Sequence, residues 1–565
     1  MSGTGDTGGR IYDGNSFWPD DILEGLKKDS IRGREYYFYE TMPHSLYESL
    51  YRAGQRWPDK RCVVDDDETA YTYSQLLGRV DDFAELLLHI YHVTPGMHIG
   101  ILLYNSIEYC ISMYAINKLR AVAVPLPTKY RRKEIDSLAE RADLAGMIYH
   151  KDFAGWFQAV PDWMQNRGKQ IFLVEMEHGS IITPSVSGKD AADTPPVSGA
   201  DIRRPAHSHP GSTVLGDDAV LMFTSGTTSR CKGVVLANYN IMHAIGVYRK
   251  IFGISEYDRT IIPVPSYYVT GLVGLMGVFL HSGGCIWLHK YFDTNRILRE
   301  AGRQHITFIH ASPTAFSLLL EKQQDFPRLP DIRMIACGSS NMPKEKMMEM
   351  KAWLPQAEFR TVYGLTETSS PAAVFPDCAA AGIHIGSSGR PVPGLQFKVC
   401  DEQGNLLLSR GTGTIMVRGT NIMVGYYKQE DGLDEGGWLD TGDLGYFDED
   451  GYLYIVDRKK DMINRGGEKI CSLDVENALY GIPGILEAAV VGIANERYGE
   501  VPAAMIVADK GSGLTAEGIR AALKPQLAGF QVPAKIVFAK ALPMTANMKV
   551  DKKKTRKMME KGEEQ

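Results

Sequence analysis

The residues best suited to chemistry fall in a few short stretches. Residues 224–233 read TSGTTSRCKG: Thr224, Ser225, Thr227 and Thr228 supply hydroxyls, Gly226 an unhindered backbone, and Lys232 an ammonium. Backbone N–H groups, hydroxyls and a nearby cation are what a polyphosphate needs. The run is not a Walker loop, because the G-x-x-x-x-G-K-[ST] spacing is absent. Taken alone, such a loop is also a common solvated turn. Asp443 stands in the Gly-flanked run TGDLG, where a carboxylate can accept from both hydroxyls of a ribose. Arg458 follows the run YLYIV and can reach the same sugar or a phosphate. A plain β-hairpin with a DEDG turn accounts for residues 448–451. It does not account for TGD and DRKKDMINRGGEK occurring together.

These residues need elements to hold them. An apolar run (AVLMF, residues 219–223) precedes the Ser/Thr loop and another apolar stretch follows, which predicts strand, loop and strand. From about residue 45 to 150, helical patterns alternate with the short apolar runs HIGILLY and AVAVPL, and residues 108–119 between them read as an amphipathic helix. Such alternation predicts a parallel α/β layer. Residues 179–217, rich in Ser, Pro, Gly and Asp, read as a long surface loop. A second α/β stretch carries the strands ITFIHAS and IRMIACG. Residues 385–456 show short strands with Gly turns, which predicts a small antiparallel barrel or sandwich. The expected organisation is an extension over 1–40 and a large domain over 41–459, made of α/β subdomains 41–216 and 217–384 with a β subdomain over 385–456. A smaller α+β lid over 460–565 follows. The first fifteen or so residues read as a disordered tail, and KKKTRK near the end as a solvated helix end.

Composition narrows the function classes. The chain has 565 residues, too many for one compact core, with 44% hydrophobic and 23% charged residues, as in a soluble enzyme. A net charge of −6 argues against a nucleic-acid partner. The 8 Cys show no C-x-x-C, so neither a zinc site nor a disulfide framework is expected. Scattered thiols and the absence of an apolar leader predict a cytoplasmic protein. The longest apolar window, near residues 271–288, is broken by His281, Ser282 and several Gly, so a buried helix and strand are expected, not a membrane span.

Residues 224–233 resemble the phosphate-binding loop of the adenylate-forming superfamily, which contains acyl-CoA synthetases, peptide-synthetase adenylation domains and firefly luciferase. Ser229 stands where that family usually has Gly, and Cys231 where it has Pro. The form SGTTSR is similar to that of some carboxylate–CoA ligases. Further resemblances follow in family order, from about residue 45 to 555. The run YGLTET matches the family's YGxTE. The resemblance implies that Tyr363 and Gly364 lie near the adenine, Thr366 contacts the α-phosphate and Glu367 helps hold Mg²⁺. One carboxylate suffices for Mg²⁺ that also binds phosphate oxygens and water. CGSSNMP resembles the adenine-binding segment, with Gly338, Ser339 and Ser340 facing the purine and the acid. Asp443 and Arg458 are assigned to the ribose, Lys460 to a hinge, and Arg465, Gly466 and Gly467 to a CoA tunnel.

In PMTANMKVDKKK, Lys549 aligns with the catalytic lysine, Met548 replaces the usual Gly, and Lys552 stands where a basic residue is normal. VPSYYVTGL lies where the family often has PxFHxxGL, with Tyr268 in the His place. Tyr268, Val269 and Thr314 are expected in the acyl pocket, together with residues 310–313, Gly338 and Thr366; a core-packing Tyr268 is the alternative. Two decoys have plain explanations. HKYFD precedes a helix start where Asp293 can cap, and GSSG around Ser387 lacks a G-x-S-x-G elbow.

The resemblance implies an AMP-forming carboxylate–CoA ligase with an α/β fold, using ATP, Mg²⁺, CoA and a small-molecule carboxylic acid. A stand-alone adenylation enzyme that loads a carrier protein is the alternative. A luciferase-like oxygenase and a non-catalytic scaffold are the further rivals. The acid and any homo-oligomeric state are left open by the sequence.

Overall fold

The computed structural model describes residues 9–157, 172–177, 180–186, 215–224, 231–340, 342–429, 432–509, 511–545 and 549–561. Two large sheets form the body. The first has eight strands in the order Ser180–Val186, Phe172–Glu177, Gly146–His150, His98–Leu102, Val122–Pro125, Asp218–Phe223, Gly233–Ala237 and Gly425–Tyr426. Its five strands from Phe172–Glu177 to Asp218–Phe223 run parallel. The second has nine, in the order Arg390–Pro391, Ala373–Val374, Glu358–Tyr363, Met334–Gly338, Phe308–Ala311, Arg259–Ile262, Cys285–Leu288, Arg61–Val64 and Ala70–Thr72. The chain therefore crosses between sheets. Strands on both sides of the expected boundary at 216/217 share the first sheet, while Arg61–Val64 joins the second. Strand runs reveal elements, but only pairing decides which sheet receives them.

Helices packed between and around these sheets build the core. Helix Ile107–Lys118 was expected to be amphipathic; residues 107–117 are instead all buried. A helix enclosed on all sides needs no polar face. Its Asn117 is satisfied internally, accepting from the Tyr47 N–H at 2.9 Å and donating to Asn238 Oδ1 at 3.0 Å. The apolar window near residue 280 folds as the wide helical stretch Thr270–Gly277, helix Val278–Ser282 and strand Cys285–Leu288, nearly all buried. Among the described residues no helix is long and apolar enough to cross a membrane.

A five-stranded antiparallel sheet joins Ile11–Asp13, Leu395–Cys400, Gly413–Gly419, Leu439–Phe447 and Leu453–Arg458. Among the described residues it is open, with the first and last of these as its edges, so no barrel closes. Its first strand corrects the expectation of a disordered tail. Tyr12 is 2% exposed and stacks on Phe447 at 4.0 Å between ring centroids. The sheet supplies a partner strand that the local sequence does not announce. Beyond residue 458 lies a small sheet of Glu468–Ile470, Ile463–Arg465, Gly499–Ala508, Ile485–Asn495 and Lys535–Phe538. Helices Ser472–Tyr480, Ala516–Leu523 and Lys552–Lys561 accompany it. The last helix is not simply a solvated end, since Thr555, Met558 and Met559 are buried.

Candidate active site

Parallel strands of the second sheet end in register: Ala311 pairs with Cys337, Cys337 with Thr361, and Gly338 with Val362. The loops after those strands therefore meet along one edge, the usual place for a ligand in an open α/β sheet. Gly338 is required there, because a Cβ would sit 2.7 Å from the Val362 carbonyl oxygen. The next residue, Ser339, is exposed with φ +78°, a left-handed turn that swings the chain over the sheet edge. Ser340 follows, also exposed.

Tyr363 donates from its hydroxyl to Asp443 Oδ2 at 2.8 Å. Arg458 lies directly across the antiparallel ladder from Asp443, and its Nε is 3.1 Å from Oδ1. The pairing register thus brings three expected nucleotide-site residues together. Asp443 is 3% exposed, and its N–H is held by Thr441 Oγ1 at 3.1 Å. Burial and the Asp443 charge push the Tyr363 phenol far above its ordinary range, so it stays a donor.

Two cavities share this edge. One, of about 490 Å³, opens between body and lid and is lined by Ser339, Ser340, Tyr363, Gly364, Asp443 and Arg458. The other, of about 270 Å³, runs into the body and is lined by Thr224, Tyr268, Val269, Gly338, Thr366 and Glu367. Arg458, Lys460 and Lys549 border both. Lys549 is half-buried in their common wall. Burial, then the Arg458 charge, lowers its ammonium to about 8, while Asp443 and Glu367 pull the other way. The turn that carries it is closed by Thr545. Its N–H donates to the Lys549 carbonyl at 2.7 Å, and the Lys549 N–H donates to Thr545 Oγ1 at 3.2 Å.

Glu367 sits in the short helical turn Thr366–Thr368, and its Oε1 accepts from the Tyr426 hydroxyl at 2.9 Å. Lys232 Nζ lies 4.2 Å from the centroid of the same Tyr426 ring. Tyr426 thus links the loop lysine to the acid, and sequence reading missed it. Its only signal was an aromatic in the run GYYK, whose strand Gly425–Tyr426 docks on Gly233–Ala237. Thr224 closes the base of the loop, donating its N–H to the Lys232 carbonyl at 3.0 Å. Ser225, Gly226, Thr227 and Thr228 lie outside the described residues, as does Met548.

The smaller cavity also presents Pro263, Val264, Phe292, Ala311 and His310. Tyr268 and Val269 line it as expected from their place in the chain, but Thr314 does not; Thr314 borders the larger cavity. The reason is helical. Ser312 caps helix Pro313–Leu320, and the turn that follows sends Ala315 to one cavity and Thr314 to the other. His310 is buried, and burial lowers its pKa to about 4, so the ring is neutral. Its Nδ1 donates to the Ala336 carbonyl at 2.9 Å, which leaves Nε2 to accept from Tyr248 at 3.1 Å. The Ser370 hydroxyl then donates to Tyr248 at 2.9 Å. This Ser370–Tyr248–His310 chain was also absent from the sequence reading, because its members are far apart in the chain.

Lys460 is exposed in the turn between strands Leu453–Arg458 and Ile463–Arg465. Arg465, Gly466 and Gly467 form the next hairpin, with φ +61° and +95° at the two glycines. They line neither cavity. The Arg465 guanidinium instead rests on the Tyr498 ring at 4.5 Å. The two decoys keep their plain explanations: Asp293 caps helix Thr294–Arg303 at 2.7 Å, and Ser387 Oγ donates to the Leu453 carbonyl at 3.1 Å.

A family model described as AMP-binding enzyme matches residues 50–427, and one described as AMP-binding enzyme C-terminal domain matches residues 474–549. The chain belongs to the AMP-binding enzyme family. Among relatives, an oxalate–CoA ligase of Arabidopsis thaliana is 28% identical, over 89% of this chain and 96% of its own. A 2-succinylbenzoate–CoA ligase of Bacillus mycoides is 29% identical, over 92% of this chain and 99% of its own. Among solved structures, ATP-bound MatB from Rhodopseudomonas palustris superposes with a TM-score of 0.79 at 25% identity, covering 92% of this chain and 99% of that one. MenE from Bacillus subtilis with its acyl-adenylate OSB-AMP gives a TM-score of 0.74 at 27% identity, covering 90% and 97%. The expected superfamily is borne out, as is a mixed α/β AMP-binding enzyme with a large N-terminal and a small C-terminal domain.

Proposed function

We propose that this AMP-binding enzyme is an ATP-dependent carboxylate–CoA ligase acting on a compact monocarboxylic acid with an apolar body. The observation that carries the reading is the site of Lys549, in the wall between a nucleotide-sized cleft and a smaller pocket. A carboxylate in the pocket would attack the α-phosphorus of ATP in the cleft, and pyrophosphate would leave. The Lys549 ammonium is suited to bridge carboxylate and α-phosphate as negative charge moves between them. Asp443 and Arg458 would hold the ribose, with Tyr363 fixing the Asp443 carboxylate. Tyr426 takes Glu367 Oε1, and the second carboxylate oxygen makes no bond among the described residues. One such oxygen with phosphate oxygens and water suits Mg²⁺, which supplies charge neutralisation at the departing pyrophosphate. The thiolate of CoA would then attack the acyl carbonyl carbon and release AMP. For that step the lid would turn about Lys460, replacing Lys549 by the Gly466–Gly467 hairpin, which explains why this hairpin lies away from the cleft.

The pocket supports the substrate class. The relatives named above are named for diacids, and a second carboxylate buried in a pocket needs a cation. Among the described lining residues, cations stand only where the two cavities meet, and His310 is neutral. Pyrophosphate release across graded acids, with product identified by mass spectrometry, tests the reading. Aliphatic or aromatic monocarboxylates should exceed malonate and succinate by roughly 100-fold in kcat/KM, the scale of an unpaired buried charge. No release with any acid of the panel sinks the ligase reading. A preference for diacids sinks the pocket reading alone. Acyl-adenylate without acyl-CoA moves the acceptor to a carrier protein.

A further inference from the structure

A set of buried charges between body and lid takes no part in the chemistry above. Asp457, on the body strand Leu453–Arg458, is 2% exposed. Its carboxylate accepts from the Ser472 N–H at 2.5 Å and from Ser472 Oγ at 2.9 and 3.1 Å. Ser472 opens the lid helix Ser472–Tyr480, so the acid also meets the positive end of that helix. Lys552 Nζ donates to Ser472 Oγ at 2.6 Å and pairs with Glu476 Oε1 at 2.9 Å. Glu476 Oε1 in turn accepts from the Val490 N–H at 2.8 Å. Asp457, Glu476, Lys552 and Lys549 all border the larger cavity.

The bonds form one path. It starts on the body, crosses to the lid helix at Ser472, and reaches Lys552, three residues beyond Lys549. The segment between is short and clamped: the Asp551 N–H donates to the Pro543 carbonyl at 2.7 Å, and Thr545 closes the turn at Lys549. A lysine held only as solvated surface would not have its side chain 19% exposed against a buried glutamate.

We propose that Lys552 is a positioning residue for adenylate formation. By bridging Ser472 and Glu476 while Ser472 is bound to Asp457, it holds the lid in the orientation that presents Lys549 to the cleft. The Asp457–Ser472 bonds span the hinge turn at Lys460, so a lid that rotates there must break them, and the effect is confined to the first half-reaction. This rests on the ligase reading and on a turning lid.

The test separates the half-reactions, using an acid that supports pyrophosphate release. Lys552→Met removes the charge and keeps the stem. Single-turnover formation of acyl-adenylate should fall about 10- to 100-fold, the size of a lost charge-assisted hydrogen bond. Thioester formation from synthetic acyl-adenylate should stay within about threefold, and Lys552→Arg should recover most of the first rate. Ser472→Ala, which keeps the N–H bond to Asp457, should give a smaller loss in the same step, and serves if the Met variant does not fold. Equal losses in both half-reactions, no loss in either, or no recovery with Arg would overturn the proposal. Wild-type protein that forms no acyl-adenylate from any acid would instead overturn the ligase reading.

Discussion

Raising the pH should switch off adenylate formation through one side chain. Burial in the wall of the cleft, with Arg458 nearby, holds the Lys549 ammonium at about 8 against an ordinary 10.5. A base with a lowered pKa keeps its charge below that value and loses it as pH rises through it. About nine-tenths of the enzyme then carries the charge at pH 7, about a tenth at pH 9 and about a hundredth at pH 10. Several other groups near the cleft lie outside that window. Burial raises the phenols of Tyr363 and Tyr426 and the Cys337 thiol well above it, and lowers His310 to about 4. The assay is pyrophosphate exchange at limiting ATP, since kcat/KM reports the free enzyme and bound phosphate would raise the lysine again. The rate should be level below pH 8 and fall tenfold per unit above it. Lys549→Ala should lose roughly 10²- to 10³-fold at pH 7, as for one missing oxyanion donor, and should lose the limb too. Thioester formation from preformed acyl-adenylate should be spared. A rate that stays flat to pH 10, or the same limb in the Ala variant, would refute the reasoning.

Tyr426→Phe should leave Glu367 without its partner and raise the Mg²⁺ concentration for half-maximal pyrophosphate release by about 10- to 100-fold, the size of a lost hydrogen bond to a charged group. Gly338→Ala should lower stability in denaturant by about 1–3 kcal/mol, because the new Cβ meets the Val362 carbonyl at 2.7 Å and neither backbone can yield freely. Lys460→Pro should be the converse of Lys549→Ala. The Lys460 N–H makes no hydrogen bond to the described residues, so a fixed φ should leave adenylate formation within about threefold and slow CoA transfer. Unimpaired transfer would place the pivot elsewhere.

Much of the site was legible because its parts are local. A Ser/Thr loop between two apolar runs and a carboxylate in TGDLG offer suitable groups within a few residues, while the lysine near the end is picked out only by the family resemblance. The alternation of strand and helix declares the layers in the same way, because burial of one face imposes a period on neighbouring residues. Long-range pairing was not legible. Tyr426 reaches Glu367 only because Gly425–Tyr426 joins the edge of the first sheet. Asp443 meets Arg458 only because the ladder register sets them opposite. Thr314 leaves the acyl pocket by one helical step, and Lys552 leaves solvent for Glu476 and Ser472. Composition and spacing determined which groups are present and in what order. Sheet order, register and the lid's seat decided which of them touch, because those depend on the free energy of the whole packed chain and not on the residues beside each group.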